Sequence, residues 1–170
     1  LFEESELDSA SSVSLITRSD WQKGGARRVS GALEAVPSVV SYPTWGGAEA
    51  IAIRGFATEL SVRGIANTLD GVPLNTFTYA SSLYDKPIIN LNHLDRIEMI
   101  RGPGSTVYGS DAFHGVIAHR LRSSDRNEQS LFGSFGPSEY DDASFFVSRV
   151  EETLTVNIGL GVTKQGDQNL

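Results

Sequence analysis

The chain contains no cysteine. That excludes disulfides, a thiolate metal site and a cysteine nucleophile together. It suits a protein outside the cytoplasm without requiring one. No stretch approaches the roughly 18 apolar residues that a membrane helix needs. There is no basic stripe either: 14 lysines and arginines are scattered, apart from Arg27–Arg28, among 21 acidic residues, for a net charge of −7. Nucleic acid is therefore a poor partner, because nothing concentrates positive charge against phosphates. The opening LFEESELDSA lacks the basic start and apolar centre of a secretion signal, and its acidic, Ser-rich composition reads as a mobile lead-in.

What is present suffices for one domain with a core: 170 residues, 39% hydrophobic. SVSLIT, Ser12 to Thr17, alternates and is β-branched, which predicts a strand. Ser19 and Asp20 are candidate N-caps of a short helix from Trp21, stopped by Gly24–Gly25; Val29, Leu33 and Val36 then lie at helical spacing until Pro37. AIAIRGF reads as a strand ending at Gly55, and NTLDGVPL as a short strand entering an Asp-Gly turn. IINLNHLDRIEMIRG gives a helical turn and then a strand from Arg96 to Arg101, and GVIAHRL gives another strand. Helices and strands alternate to about Leu121.

From Glu128 the pattern is strands alone. In TLTVNIGLGV, Leu154, Val156, Ile158, Leu160 and Val162 share one face, while Thr153, Thr155, Asn157, Gly159 and Gly161 share the other. A lipid-facing barrel strand has this alternation. So does a half-buried strand of a soluble sheet, which for this segment alone is the favoured reading. SLFGSFG and ASFFVSRV add two further strands, with turn signals at Gly136–Pro137 and Glu151–Glu152.

The densest chemistry lies in RIEMIRGPGSTVYGSDAFHGVIAHR, Arg96 to Arg120. GSTVYGS has the glycine spacing of a phosphate loop, but Ser110 stands where the phosphate-holding Lys belongs. Ser105 or Ser110 with Asp111 and His114 is a poor hydrolase site: such groups are assembled from separated parts of a fold, and no GxSxG elbow is present. His93 and His119 have no ligand spacing to acidic residues, so a metal site has little support. Gly102, Gly104, Gly109 and Gly115 permit positive φ or close backbone approach, and Pro103 fixes one turn.

Four blocks in order carry a family resemblance. SVSLITRSDWQKGGARRVSGALEAVPSV, IRGF (Ile53 to Phe56), LDGVPLN (Leu69 to Asn75) and LDRIEMIRGPGSTVYGSDAFHGVI (Leu94 to Ile117) resemble the plug domain of TonB-dependent outer-membrane receptors, and the tail resembles the first barrel strands. The resemblance implies an α/β plug, a small mixed sheet with short helices, followed by the first antiparallel strands of a large transmembrane β-barrel of about 22 strands. It divides the chain into a spacer at 1–11, the plug at 12–122 and an incomplete barrel from 128 to 170. It makes Gly55, Asp70, Gly71, Gly102, Pro103, Gly109 and Gly115 structural turn residues, and Arg54, Glu98 and Arg101 partners of charges on the barrel wall.

The function so implied is TonB-driven import of a scarce, bulky solute, most often a ferric siderophore, otherwise cobalamin, haem or a glycan. The protein would not be an enzyme and would hold no resident cofactor. Its partners would be TonB with the ExbB/ExbD energy complex, the rest of its own barrel and the outer membrane. Tyr42, Trp45, Asn75, Phe77 and Tyr79, on the two outward loops, are the expected plug-side ligand contacts, with packing of loop against barrel as the competing role. No TonB-contacting box is recognisable, so the chain is expected to begin downstream of it, and three strands do not close a barrel. The family's plug exit reads like GVINIITK; here it reads GVIAHRLRSSDR, with His119, Arg120 and Arg122 interrupting the apolar run. A soluble plug-like binding or signalling module is the alternative reading, and a hydrolase a remote one.

Overall fold

The computed structural model describes residues 12–43, 49–56, 64–75, 89–109, 111–135 and 140–165. Its elements in order are β1 (Ser12–Thr17), α1 (Arg18–Gly24), α2 (Val29–Leu33), β2 (Val39–Pro43), β3 (Glu49–Ile53), β4 (Ile65–Leu69), β5 (Val72–Pro73), a 3₁₀ turn (Leu91–His93), β6 (Leu94–Arg101), α3 (Ser105–Tyr108), β7 (Gly115–Leu121), β8 (Glu128–Ser134), β9 (Tyr140–Val150) and β10 (Thr155–Gln165).

These strands make three sheets. A five-stranded sheet runs β1-β6-β7-β4-β5, with β4 and β7 parallel and the remaining pairs antiparallel. β2 and β3 form a separate hairpin, so the strand read from AIAIRGF is not part of the main sheet. β8, β9 and β10 form an antiparallel meander. Trp21, Val29, Leu33, Val36, Ile51, Ile53, Ile65, Leu94, Ile97, Met99 and Ile117 are buried together in one core between the helices, the hairpin and the main sheet.

Helix α1 begins earlier than Ser19 or Asp20 would place it. Thr17 is the cap, and Asp20 sits three residues on, its carboxylate accepting from the Thr17 backbone N–H (2.8 Å) and hydroxyl (2.6 Å). Ser19 and Asp20 are both candidates by sequence, because a hydroxyl or an acid shortly before an apolar residue can fill the cap or the first turn. The choice fell to the extended backbone of β1, which ends on Thr17. The two hydrogen bonds from Thr17 hold the Asp20 carboxyl below its usual pKa.

Two positions explain why the glycine motifs stand where they do. At the β4–β5 turn, Asp70 and Gly71 both take positive φ (47° and 86°), the tight hairpin turn whose twist suits antiparallel strands. Arg54 and Gly55 repeat it after β3 (53° and 79°). At Gly115 the reason is space: a Cβ there would lie 2.7 Å from the Ile100 carbonyl oxygen and 2.9 Å from Ile53 Cδ1. Gly102, Pro103 and Gly109 lie in the β6–β7 connection, which closes through Gly102 N–H to the His114 carbonyl (3.1 Å) and Gly104 N–H to the Ala112 carbonyl (2.8 Å).

The meander is inside-out relative to a soluble sheet. Register places Leu131, Phe145 and Leu160 in one row of its outer face, and these are 81%, 37% and 63% exposed. Leu154, Val156, Ile158 and Val162 are exposed as well. The opposite face carries Asp142, Ser144, Phe146 and Ser148, all buried. A soluble strand would bury the apolar row and expose the serines. TLTVNIGLGV itself is exposed along its whole length, its apolar face bare, which departs from the half-buried strand of a soluble sheet.

Candidate functional site: the interface between sheet and meander

The buried polar face of the meander packs on the end of the main sheet where β6 begins and β7 leaves. The 3₁₀ turn there is set by Asn90, whose side-chain oxygen accepts from the Asn92 backbone N–H (2.8 Å). The turn presents two amides to the wall. Asn90 Nδ2 donates to Asp142 Oδ1 at 2.5 Å and Asn92 Nδ2 donates to Asp142 Oδ2 at 2.6 Å. Thr163 Oγ1 adds a third donor from the neighbouring strand at 3.1 Å. Beside them, the His93 ring lies against β10, where a Cβ on Gly159 would meet its Cδ2 at 3.0 Å and one on Gly161 its Cε1 at 3.1 Å.

The atypical exit segment has a role at each position. His119, on β7 between Ile97 of β6 and Leu69 of β4, is fully buried, with Nδ1 2.9 Å from the Thr68 carbonyl. Burial pushes its pKa down from 6.5 to about 4, opposed by the bond to Thr68. Arg120 stands directly across from Arg96, a like-charge pair that would destabilise the ladder by itself. Glu98 sits between them, 2.9 Å from Arg96 Nε and 3.4 Å from both Arg120 nitrogens that reach it. Burial pushes the Glu98 carboxyl up, but hydrogen bonds and charge from Arg120 and Arg96 prevail and leave it below its ordinary pKa. Arg122 crosses to the meander: it pairs with Glu128, donates to Ser130 Oγ (2.7 Å) and stacks 4.1 Å from the Phe146 ring centre. Its backbone N–H donates to the His93 carbonyl (2.8 Å). Between sheet and meander lies a cleft of about 530 Å³ lined by Asp70, His93, Arg96, Arg120, Arg122 and Asn157 among others.

The other expected residues are dispersed. Arg101 turns inward, donating to the Pro37 carbonyl (3.0 Å) and to Ser14 Oγ (3.1 Å), and so ties β1 to the corner after α2. Arg54 is exposed on its turn. Tyr42 packs partly buried against the core. Asn75 caps β4, accepting from the Asn67 N–H (2.7 Å) and donating to the Ile65 carbonyl (2.9 Å). Trp45, Phe77, Tyr79 and Ser110 lie outside the described residues, as does the segment 1–11. His114, considered above as a base, stacks on Phe56 with ring centres 3.4 Å apart and meets Phe113 edge-on. Sequence reasoning passed over Asn90, Asn92 and Asp142. A pair of asparagines beside an apolar strand start is a faint signal, and nothing in it names a carboxylate some fifty residues away.

A small mixed sheet clasped by the polar face of an outward-apolar meander defines a plug seated against a barrel wall. Comparison with known proteins agrees. Residues 5–116 match the TonB-dependent Receptor Plug Domain, and the chain belongs to that family. It is 27% identical over 154 residues to the vitamin B12 transporter of Vibrio vulnificus, covering 87% of this chain and 24% of that protein. It is 36% identical over 180 residues to the iron-regulated outer membrane virulence protein of Vibrio cholerae, covering 93% and 25% respectively. The chain thus spans about a quarter of the length of these relatives. Among solved structures, the ferric-catecholate import receptor Fiu of E. coli K12 in its open form superposes with a TM-score of 0.72 at 21% identity, over 94% of this chain and 22% of that one. The fold class expected from the sequence is the one observed.

Proposed function

We propose that the chain is the plug and first wall strands of an outer-membrane receptor that imports a scarce, bulky solute, with a ferric siderophore as the favoured cargo. The observation that carries this reading is the inverted meander, whose uncovered row Leu131–Phe145–Leu160 needs lipid and whose buried row of serines and Asp142 faces the plug. In this reading residues 1–11 are a spacer, 12–122 the plug and 128–170 the start of the barrel. The names of the relatives, a vitamin B12 transporter and an iron-regulated outer membrane protein, favour cobalamin or an iron complex as cargo.

The mechanism is gated. Cargo settles on the outward loops carrying Tyr42, Trp45, Asn75, Phe77 and Tyr79. The N-terminal segment then becomes available to TonB, powered by ExbB/ExbD. Pulling rearranges the plug and opens a path past the wall. Arg54, Glu98 and Arg101 contribute charge at the plug surface; for Glu98 and Arg101, bonds within the plug supply part of the pairing.

Envelope fractionation of the native full-length protein, with heated and unheated electrophoresis, tests the setting. Uptake of labelled ferric siderophores and cobalamin, with and without TonB, tests the activity. A heat-modifiable outer-membrane band and TonB-dependent uptake are expected. A soluble product the size of this chain would replace transport with a free-standing binding module.

A further inference from the structure

Resting on the reading of the meander as barrel wall, we propose that the turn Asn90–His93 and the inner face of β9 and β10 form a latch that seats the plug, with Asp142 as its central acceptor. Asp142 is 3% exposed, and its carboxylate accepts from three donors: two amides from the plug turn and one hydroxyl from β10. Such a group is costly to bury unless every donor stays in place, so the contact is made whole or not at all.

A second feature, independent of those bonds, points to the same seat. β10 carries glycine at positions 159 and 161, where its inner face meets the turn, and side chains there would press on His93 and on Asn90 Nδ2, the latter 3.1 Å from a Cβ on Gly161. Glycine weakens a strand interior, and one recognised reason to find it there is close approach of another segment. Here that segment is the plug turn, and the glycines let the amides reach Asp142.

The latch is also tied to the part of the plug nearest its N-terminus. Arg18, the first residue of α1, donates Nη1 to the Asn92 carbonyl at 3.0 Å. Displacing α1 withdraws that bond from the residue that grips Asp142 Oδ2. The latch therefore stands between the end of the plug that would be pulled and the wall that would resist.

The test is a swap in the full-length protein assembled in outer membranes, read by hydrogen exchange at the amides of residues 90–93. Asp142→Asn sets a third amide against those of Asn90 and Asn92, and Asn92→Asp sets two carboxylates together; each is expected to raise exchange at least tenfold. The double variant, Asn92→Asp with Asp142→Asn, restores one carboxylate to one amide, and exchange should return to within about threefold of the parent. Arg18→Met should give a smaller rise at the same amides. Leu160→Ala, on the opposite face of β10, should give none. Unchanged exchange in both single variants, or a double variant no better than the worse single one, would overturn the latch. Heat-modifiable migration of the parent checks the wall itself: without it the underlying reading fails, and the latch falls with it. Should one single variant not assemble, recovery of assembly in the double variant reports the same pairing, and its absence counts against it.

Discussion

Acidification should loosen the plug through one buried imidazole. His119 has no exposed surface, and its pKa is pushed from 6.5 down to about 4 because β7 is flanked on both sides and the charged form loses its water. In the unfolded chain His119 binds its proton near the ordinary value. Between the two pKa values the unfolded state therefore holds more protons, and stability rises with pH. The contribution is complete above about pH 6.5, is lost as pH falls toward about 4, and changes no further below that. The whole shift is worth about 3 kcal/mol, and about 2 kcal/mol of it is lost between pH 7.5 and pH 5. Hydrogen exchange over β4, β6 and β7, corrected for the chemical pH dependence, should then be roughly thirtyfold faster at pH 5. His119→Gln keeps a donor for the Thr68 carbonyl but cannot titrate. It should flatten the slope between pH 5 and 7.5 even if its stability is lower throughout. An equal slope in parent and variant would refute the assignment.

Further outcomes follow from the same packing. Gly115→Ala should cost about 1–3 kcal/mol, since the new methyl meets a backbone oxygen that cannot swing away; denaturant midpoints of the plug would show it. Glu98→Gln should cost on the order of 1 kcal/mol by leaving Arg96 and Arg120 facing each other across the ladder. Because the Glu98 carboxyl is held low, its contribution is present above the ordinary glutamate pKa and fades as pH drops through the folded value. Ile158→Arg, on the uncovered face, should lower the yield of heat-modifiable protein, at a cost of about 2–4 kcal/mol if the residue lies near the bilayer midplane. Normal assembly of that variant would remove the argument for lipid.

Much of the fold was legible because it rests on local chemistry. β1 was placed to the residue by alternation, and the Asp70–Gly71 turn was named by Asp-Gly, one of the few residue pairs that favour two consecutive positive φ values. The change of pattern near Glu128 coincides with the start of the meander. The helix start was misplaced because Thr17, Ser19 and Asp20 all suit a cap, and the choice fell to where β1 stops pairing with Arg96 of β6. Trp45, Phe77 and Tyr79 lie outside the described residues.

By itself the sequence determined the family, through short motifs whose glycines and turns admit few backbones, and the two-faced pattern of the tail. It did not determine which face of that tail is covered, because alternation looks the same from either side. Tertiary structure decided this by setting Asn90 and Asn92 beside Asp142 and leaving Leu160 bare. The same holds for the exit strand. His119, Arg120 and Arg122 look like a break in an apolar run, yet His119 and Arg120 are absorbed by groups distant in sequence, Thr68 and Glu98, and Arg122 by Glu128 at the start of the meander. A residue's own chemistry fixes what it needs as a partner; only the folded chain decides whether that partner stands within reach.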